Sequence, residues 1–386
     1  VSLRVNILLF GFLFNLLIWH LVILFEYAQF FLIKPLRLIY IYFLIYLILM
    51  SVGHYDITFQ WIYANIFPFY ISIMIFTFFT WVQDLKGLRI IITFTLIFIL
   101  ITCITSTIGN YIHPLATRYL YSTRENIDLV NQYERMGIGK YAFISGLPII
   151  IPSLYYKFKQ TKNKKRYFWL VSIILILITL YFASVTAPFL LAFAALFFSF
   201  LGKKIIYRNI LIIFLLGFFL ILTPIRTYSN FFFKVADIVN NDVLAQRINS
   251  IGYSFEYGID SRSEEGEIVK NRLQRYNTGW NLFVENPLIG HGVEVGNIGH
   301  IFWMNLLGKY GLLGLFPIIL LLWYMGIKYL KFFHSRYKYY YLLSFAIFIV
   351  LGFMKAIVGR EFFIYLFFIS PGIYFLESNS KKVNID

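Results

Sequence analysis

Two kinds of side chain in this sequence are suited to chemistry at a charged group, and both gather in the same stretches. The first is guanidinium. Arg118, Arg124 and Arg135 fall in one polar stretch, about 109–138, with Glu125, Asp128 and Glu134; Arg226, Arg247, Arg262, Arg272 and Arg275 fall in a longer one, about 225–298. Lys is sparse beside them, at Lys140, Lys234, Lys270 and, further on, Lys355. A planar guanidinium fork matches the paired oxygens of a phosphate or carboxylate, which an ammonium meets only as a point charge. The preference for Arg therefore points to an anionic ligand. The second group is imidazole. Asn286-Pro287-Leu288-Ile289-Gly290-His291-Gly292 is a turn sequence; it is followed by Glu294, by His300 and by Gly311-Leu312-Leu313-Gly314 inside an apolar run. His300 thus stands where a polar loop enters hydrocarbon. No Walker loop, dinucleotide fingerprint or zinc-ligand spacing occurs, and neither a metal nor a cofactor is expected. Cys103 is the one cysteine, inside an apolar run, where no disulfide or metal cluster is open to it.

The elements that must hold these residues are membrane helices. Of 386 residues, 60% are hydrophobic, 21% aromatic and only 13% charged, and the mean hydropathy is +0.74. A soluble domain of this size could not hide that much apolar surface. The expectation is an all-α polytopic membrane protein, one integral domain over 1–386, with about eleven spans (ten to twelve). They run near 3–25, 36–53, 61–82, 88–108, 139–156, 167–184, 186–201, 208–224, 299–325, 340–357 and 361–377. The apolar 3–25 reads as a retained first helix. Only Val185-Thr186-Ala187-Pro188 and its neighbours separate two of the spans, which requires a tight turn there.

The net charge of +16 raises the question of nucleic acid. The basic residues instead cluster in short connections, as orientation signals do: Lys157, Lys159, Lys162, Lys164, Lys165 and Arg166; Lys203, Lys204 and Arg208; Lys328, Lys331, Arg336 and Lys338; Lys381 and Lys382. With eleven spans all four clusters, together with Lys34, Arg37, Lys86 and Arg89, share one side, which the positive-inside rule makes cytoplasmic. Nucleic acid is not an expected partner. The stretches 109–138 and 225–298 then form two external loops, the larger facing the periplasm or cell exterior, and loops this long are uncommon unless functional. Within the larger, Leu273, Tyr276, Trp280 and Phe283 recur at helical steps, the apolar face of an amphipathic helix lying on the membrane and ending at Asn286-Pro287. That stripe suits packing or membrane anchoring, His291 reads as a turn residue between glycines, and Gly311 and Gly314 as small residues permitting close helix contact. Intramembrane acids are nearly absent, which argues against a proton-coupled transporter.

Arg272, Trp280, the Pro287-Leu288-Ile289-Gly290 turn, His300 and Gly311-Leu312-Leu313-Gly314 together resemble the signature region of the O-antigen polymerase/ligase superfamily, the Wzy-type bacterial membrane glycosyltransferases. The motif covers about 45 residues; the many-span layout, with a large external loop before the last helices, extends the likeness. Two positions depart from the pattern. Phe302 stands two residues after the His, where a polar residue is common, and the middle turn Ala183-Ser184-Val185-Thr186 lacks the Arg that often follows its Ser.

The resemblance implies a fold related to the C-type glycosyltransferases and a polymerase of undecaprenyl-pyrophosphate-linked oligosaccharide units, for O-antigen, capsule or exopolysaccharide, acting without a metal on the outer face of the cytoplasmic (inner) membrane. A chain-length regulator protein is a further partner it suggests. Without a metal, guanidinium groups must carry the charge of the departing lipid pyrophosphate. Arg272 is the first candidate, then Arg275 and Arg135, with Arg360 and Lys355 at the last external turn. The acceptor sugar hydroxyl needs a base, for which neutral His300 is suited near pH 7 and Glu294 is a second candidate; a protonated His300 would instead contact phosphate. Rival readings are an O-antigen ligase, which differs in its acceptor, a flippase or exporter of lipid-linked sugars, which requires a charged cavity through the spans, and a non-catalytic scaffold, which has no need of the arginines.

Overall fold

The computed structural model describes residues 25–52, 67–114, 116–120, 127–202, 225–239, 242–257, 267–291, 301–355 and 359–376, with Leu21, Ile23 and Ile357. The expected spans 3–25 and 208–224 fall wholly or largely outside the described residues, as do His300, Glu294 and the side chains of Arg272 and Arg360.

Every described element is helical. A 3-10 turn at Ala28–Leu32 leads into α1 (Lys34–Val52), which carries Pro35 in its first turn, where a missing N–H costs nothing. Then come α2 (Phe67–Trp81), α3 (Leu85–Ile112), α4 (Ala116–Tyr119), α5 (Ile127–Arg135), α6 (Tyr141–Gly146), α7 (Ile151–Gln160), α8 (Lys165–Phe182), α9 (Thr186–Leu201), α10 (Ile225–Ile238), α11 (Asp242–Tyr257), α12 (Glu267–Glu285), α13 (Phe302–Phe332), α14 (Ser335–Met354), α15 (Arg360–Ile364) and α16 (Ser370–Phe375). A 3-10 turn, Leu147–Ile150, joins α6 to α7, and a π turn, Tyr365–Ile369, joins α15 to α16.

Four of these helices, α3, α8, α13 and α14, are long and apolar enough to cross a membrane; Tyr70–Trp81, Thr186–Leu201 and Glu361–Phe375 are shorter apolar helices. Their outward faces are hydrocarbon. Phe94 and Phe98 on α3 are 59% and 65% exposed, and Phe316 and Trp323 on α13 are 59% and 68% exposed. Apolar surface so continuous marks a lipid-facing wall.

The bundle has two chemically distinct ends. At one, Lys157 donates to Tyr374 O (3.3 Å), Arg89 Nε to Phe375 O (2.8 Å), His334 N to the Tyr374 hydroxyl (3.2 Å) and Tyr339 to Phe198 O (2.7 Å). Those contacts gather the described basic connections, Lys157–Arg166 and Lys328–Lys338, with Arg89, at a single basic end. An aromatic core of Tyr329, Phe333, Tyr337, Tyr341, Phe367 and Tyr374 packs just inside it, largely edge to face. The polar stretches gather at the opposite end, called the loop end below.

Both expected loops are folded. The 109–138 stretch contains α4 and α5 around a small core of Ala116, Leu120, Tyr133 and Ile138. Hydrogen bonds tie it to the end of α3: Asn110 donates to Thr117 Oγ1 (2.8 Å) and accepts from Thr117 N (3.1 Å), Gly139 N donates to Ser106 Oγ (2.7 Å), and Thr105 to Gly137 O (2.6 Å). The larger stretch holds three helices where one was expected: α10 and α11 pair through Phe233 and Tyr253 (4.9 Å between centroids), and α12 ends at Glu285 as the Pro287 signal implied. Trp280, within the stripe assigned to packing or anchoring, is 52% exposed.

Candidate functional site

The glycine-rich turn after α12 and the Gly-x-x-Gly step in α13 are one structural unit. Gly311 leaves helical geometry (φ 57°, ψ −159°), so α13 breaks after Tyr310, and the expected close helix contact at Gly311 is instead a backbone contact with a loop. In an unbroken helix Leu312 N and Leu313 N would bond the carbonyls four residues back. Here they donate to Pro287 O (2.8 Å) and Leu288 O (3.0 Å), while His291 N donates to Gly308 O (3.0 Å). The turn thereby supplies the partners that the break removes. Only glycine permits this. A Cβ on Gly290 (φ 71°) would lie 2.4 Å from Lys309 O, and one on Gly311 2.5 Å from Leu288 O. His291 Nε2 sits 3.4 Å from Glu285 Oε2 beside the same turn.

The loop end brings several further polar groups together. The α8–α9 connection is a three-residue turn in which buried Ser184 takes φ 54°. Arg118, half-buried on α4, donates through Nη2 to Ser184 O. Burial pulls the Arg118 guanidinium down to about 10, and the like charge of Arg247 on α11 adds to the shift, partly offset by Tyr141. Arg118 therefore keeps its charge at neutral pH, and among the described residues no carboxylate pairs with it. Lys355, at the end of α14, sets its ammonium 5.2 Å over the Tyr141 ring. Lys355 O accepts from Phe302 N (3.1 Å), and the Tyr276 hydroxyl of α12 donates to Phe353 O. The Thr186 hydroxyl, first in α9, is buried with no hydrogen-bond partner among the described residues. Two guanidinium groups thus meet where α8 turns into α9, near a hydroxyl without a partner among the described residues and with the Lys355 ammonium over the neighbouring Tyr141 ring, a local concentration of positive charge.

Of the residues singled out from sequence, Lys355 joins this group. Arg275 is half-buried on α12, next to Tyr276. Arg272 lies one turn earlier in the same helix and Arg360 opens α15. Arg135 is exposed at the end of α5, beside the Glu134–Lys140 ion pair (2.8 Å), and makes no bond to the group. Arg118 and Arg247 had no distinguishing sequence signal. The partner that fixes Arg118 lies 66 residues away, and nothing in the spacing announces the contact. Among the described residues no group of three or more His, Cys, Asp or Glu is arranged to hold a metal ion.

Four long apolar helices with hydrocarbon on their outward faces fit a membrane protein, and its loop end carries a cluster of cations. Residues 170–311 match a family model described as O-antigen ligase, and this supports the O-antigen polymerase/ligase superfamily for the chain. The matched stretch begins inside α8, takes in the Ser184 turn, Arg247 and the turn after α12, and ends at the Gly311 break. Proteins of that family are glycosyltransferase-like enzymes, which implies lipid-linked polysaccharide substrates in a membrane setting. No curated protein and no solved structure matches the chain.

Proposed function

We propose that the chain is a repeat-unit polymerase that moves a glycan from a polyprenyl-pyrophosphate carrier to a sugar hydroxyl of the next lipid-linked unit, on the external face of a cytoplasmic membrane that it crosses about eleven times. The observation that carries this reading is the Arg118–Arg247 pair at the Ser184 turn, of which Ser184 and Arg247 fall inside the region that matches the family model and Arg118 reaches in from outside it. In the reaction the acceptor oxygen bonds to the anomeric carbon as the bond from that carbon to the pyrophosphate oxygen breaks. The pyrophosphate leaves with the electron pair and one more negative charge, and the hydroxyl proton passes to a base. Guanidinium groups held in a half-buried setting stabilise that developing charge without reorganising. Arg118 supplies from another loop the guanidinium that the α8–α9 turn lacks in its own sequence. Arg247, Arg275 and Lys355 line the same approach, with Arg272 and Arg360 as further contacts. His300, two residues before Phe302, is the proposed base.

The family model's own description favours a second reading, a ligase that moves the finished glycan onto a lipid A core acceptor. Both readings use the same donor chemistry. Complementation of a deletion strain with the wild type, Arg118→Ala, Arg272→Ala and His300→Ala tests the proposal. Loss of long chains with single-unit products retained supports the polymerase. Accumulation of full-length glycan still on its carrier supports the ligase. Full activity in all three variants would overturn the site.

A further inference from the structure

At the basic end, far from the Ser184 turn, α1 packs along α13. Lys34 opens α1 and sets its ammonium 4.9 Å from the Tyr324 ring of α13; Lys328, one turn on from Tyr324, sits 5.8 Å from the same ring. Arg37 acts electrostatically on Tyr324, and Lys331 and Lys34 both act on Lys328. Among the described residues none of these cations forms an ion pair. Tyr324 and Lys328 are only partly exposed, so like charges share a region where water screens them incompletely. One ring cannot neutralise two ammonium groups; an anion can.

The helix faces above this cluster say which anion. On α1 the residues at helical steps from Lys34 and Arg37 are Ile41, Leu44 and Ile48, which are 50%, 56% and 51% exposed. On α13 the steps back from Lys331 are Ile327, Trp323, Leu320 and Phe316, which are 42%, 68%, 39% and 59% exposed. Each helix is therefore cationic at its end and open hydrocarbon for the next several turns. A free phosphate would use only the cationic end. An amphiphile with an anionic head and long chains uses both.

We propose that the α1–α13 groove is a binding site for an anionic phospholipid, its phosphate held by Lys34, Arg37, Lys328 and Lys331 and its acyl chains laid along the exposed rows of α1 and α13. The site is independent of the catalytic reading above.

Native mass spectrometry of the detergent-purified full chain tests this, using phosphatidylglycerol, phosphatidylcholine with the same acyl chains, and inorganic phosphate. The expected result is retention of phosphatidylglycerol over phosphatidylcholine. The Lys34→Gln/Lys328→Gln variant should weaken retention at least tenfold, on a scale set by roughly one unit of favourable energy per basic residue at a membrane surface. The Arg37→Gln/Lys331→Gln variant, at exposed positions, should weaken it similarly. A control, Lys162→Gln/Lys164→Gln, removes the same charge from the same end and should leave retention unchanged. Equal retention of the two lipids, equal loss in the control, or protection by inorganic phosphate at the affinity of the lipid would each overturn the proposal.

Discussion

Gly290 and Gly311 touch through their backbones: a Cβ on Gly311 would lie 2.8 Å from Gly290 N, and a Cβ on Gly290 would meet the peptide between Lys309 and Tyr310. The two glycine motifs of the sequence are thus the halves of one joint, which closes the α12 turn onto the broken start of α13. Because each glycine has positive φ and no room for a methyl, Gly290→Ala and Gly311→Ala should each destabilise the chain by about 2–3 kcal/mol or more. The two costs arise at one contact, so the double variant should lose distinctly less than their sum. Thermal unfolding in detergent measures this, and strict additivity would show that the glycines act separately.

The environment of Arg118 makes a prediction about charge. Burial first, then Arg247, brings that guanidinium well below its ordinary value, to about 10. It stays protonated at any physiological pH, and wild-type activity should not vary with its titration below about pH 9. The unfolded chain binds the proton more tightly than the folded one, so this group contributes stability that grows only as pH rises above about 10 towards the ordinary arginine range. A lysine starts lower, near 10.4, and the same burial and like charge would push it down further, towards neutral pH. Arg118→Lys should therefore lose activity as pH rises above neutral, at a lower pH than the wild type, which holds steady to about pH 9. Arg118→Ala should fall by about a hundredfold at every pH. A flat profile for Arg118→Lys would remove the charge argument. Glycan transfer from a lipid-linked donor, followed across pH, is the assay.

Thr186 separates substrate binding from folding. Its hydroxyl is buried without a hydrogen-bond partner among the described residues. Thr186→Val keeps the shape and removes that unsatisfied group. The melting temperature should hold or rise, within about 1 kcal/mol of the wild type, while the apparent affinity for the lipid-linked donor should fall. A large loss of stability would mean that the hydroxyl bonds within the protein and is not available to a ligand.

Several of these relationships were legible in the residues, and the pattern of success is physical. Helical periodicity and basic clusters are local signals, and the helix ending before Asn286-Pro287 and the shared basic end of Lys157–Arg166 and Lys328–Lys338 follow from them. The Pro/Gly turn and the Gly311 step were each recognisable as special. Their union was not, because it is made by backbone groups such as Leu312 N and Pro287 O, whose identity no side chain encodes. The same limit explains Arg118. Nothing around it differs from Arg135 as sequence, yet one is half-buried against Ser184 and the other exposed. The sequence marks 109–138 as an external loop and does not announce its small core, because its apolar residues, Leu120, Tyr133 and Ile138 among them, are too few and too widely spaced until α4 and α5 fold over α3.

That satellite unit is what holds Arg118, and its anchor gives the last prediction. Asn110 is 2% exposed. It uses its amide as donor to Ser106 O and Thr117 Oγ1, each at 2.8 Å, and as acceptor from Thr117 N at 3.1 Å. Thr117 precedes Arg118, so this one side chain sets where α4 starts and hence where the guanidinium points. Asn110→Ala leaves the Thr117 N–H and hydroxyl without that partner and should cost about 2 kcal/mol or more. The cost should appear as local opening of 116–138, seen in hydrogen exchange and protease nicking, with the rest of the bundle protected. Activity should fall although Asn110 touches no substrate. Asn110→Asp, which keeps the acceptor for Thr117 N and gives up the donor, should recover part of both. If Asn110→Ala opens the segment yet transfers glycan at the wild-type rate, Arg118 is not part of the catalytic site.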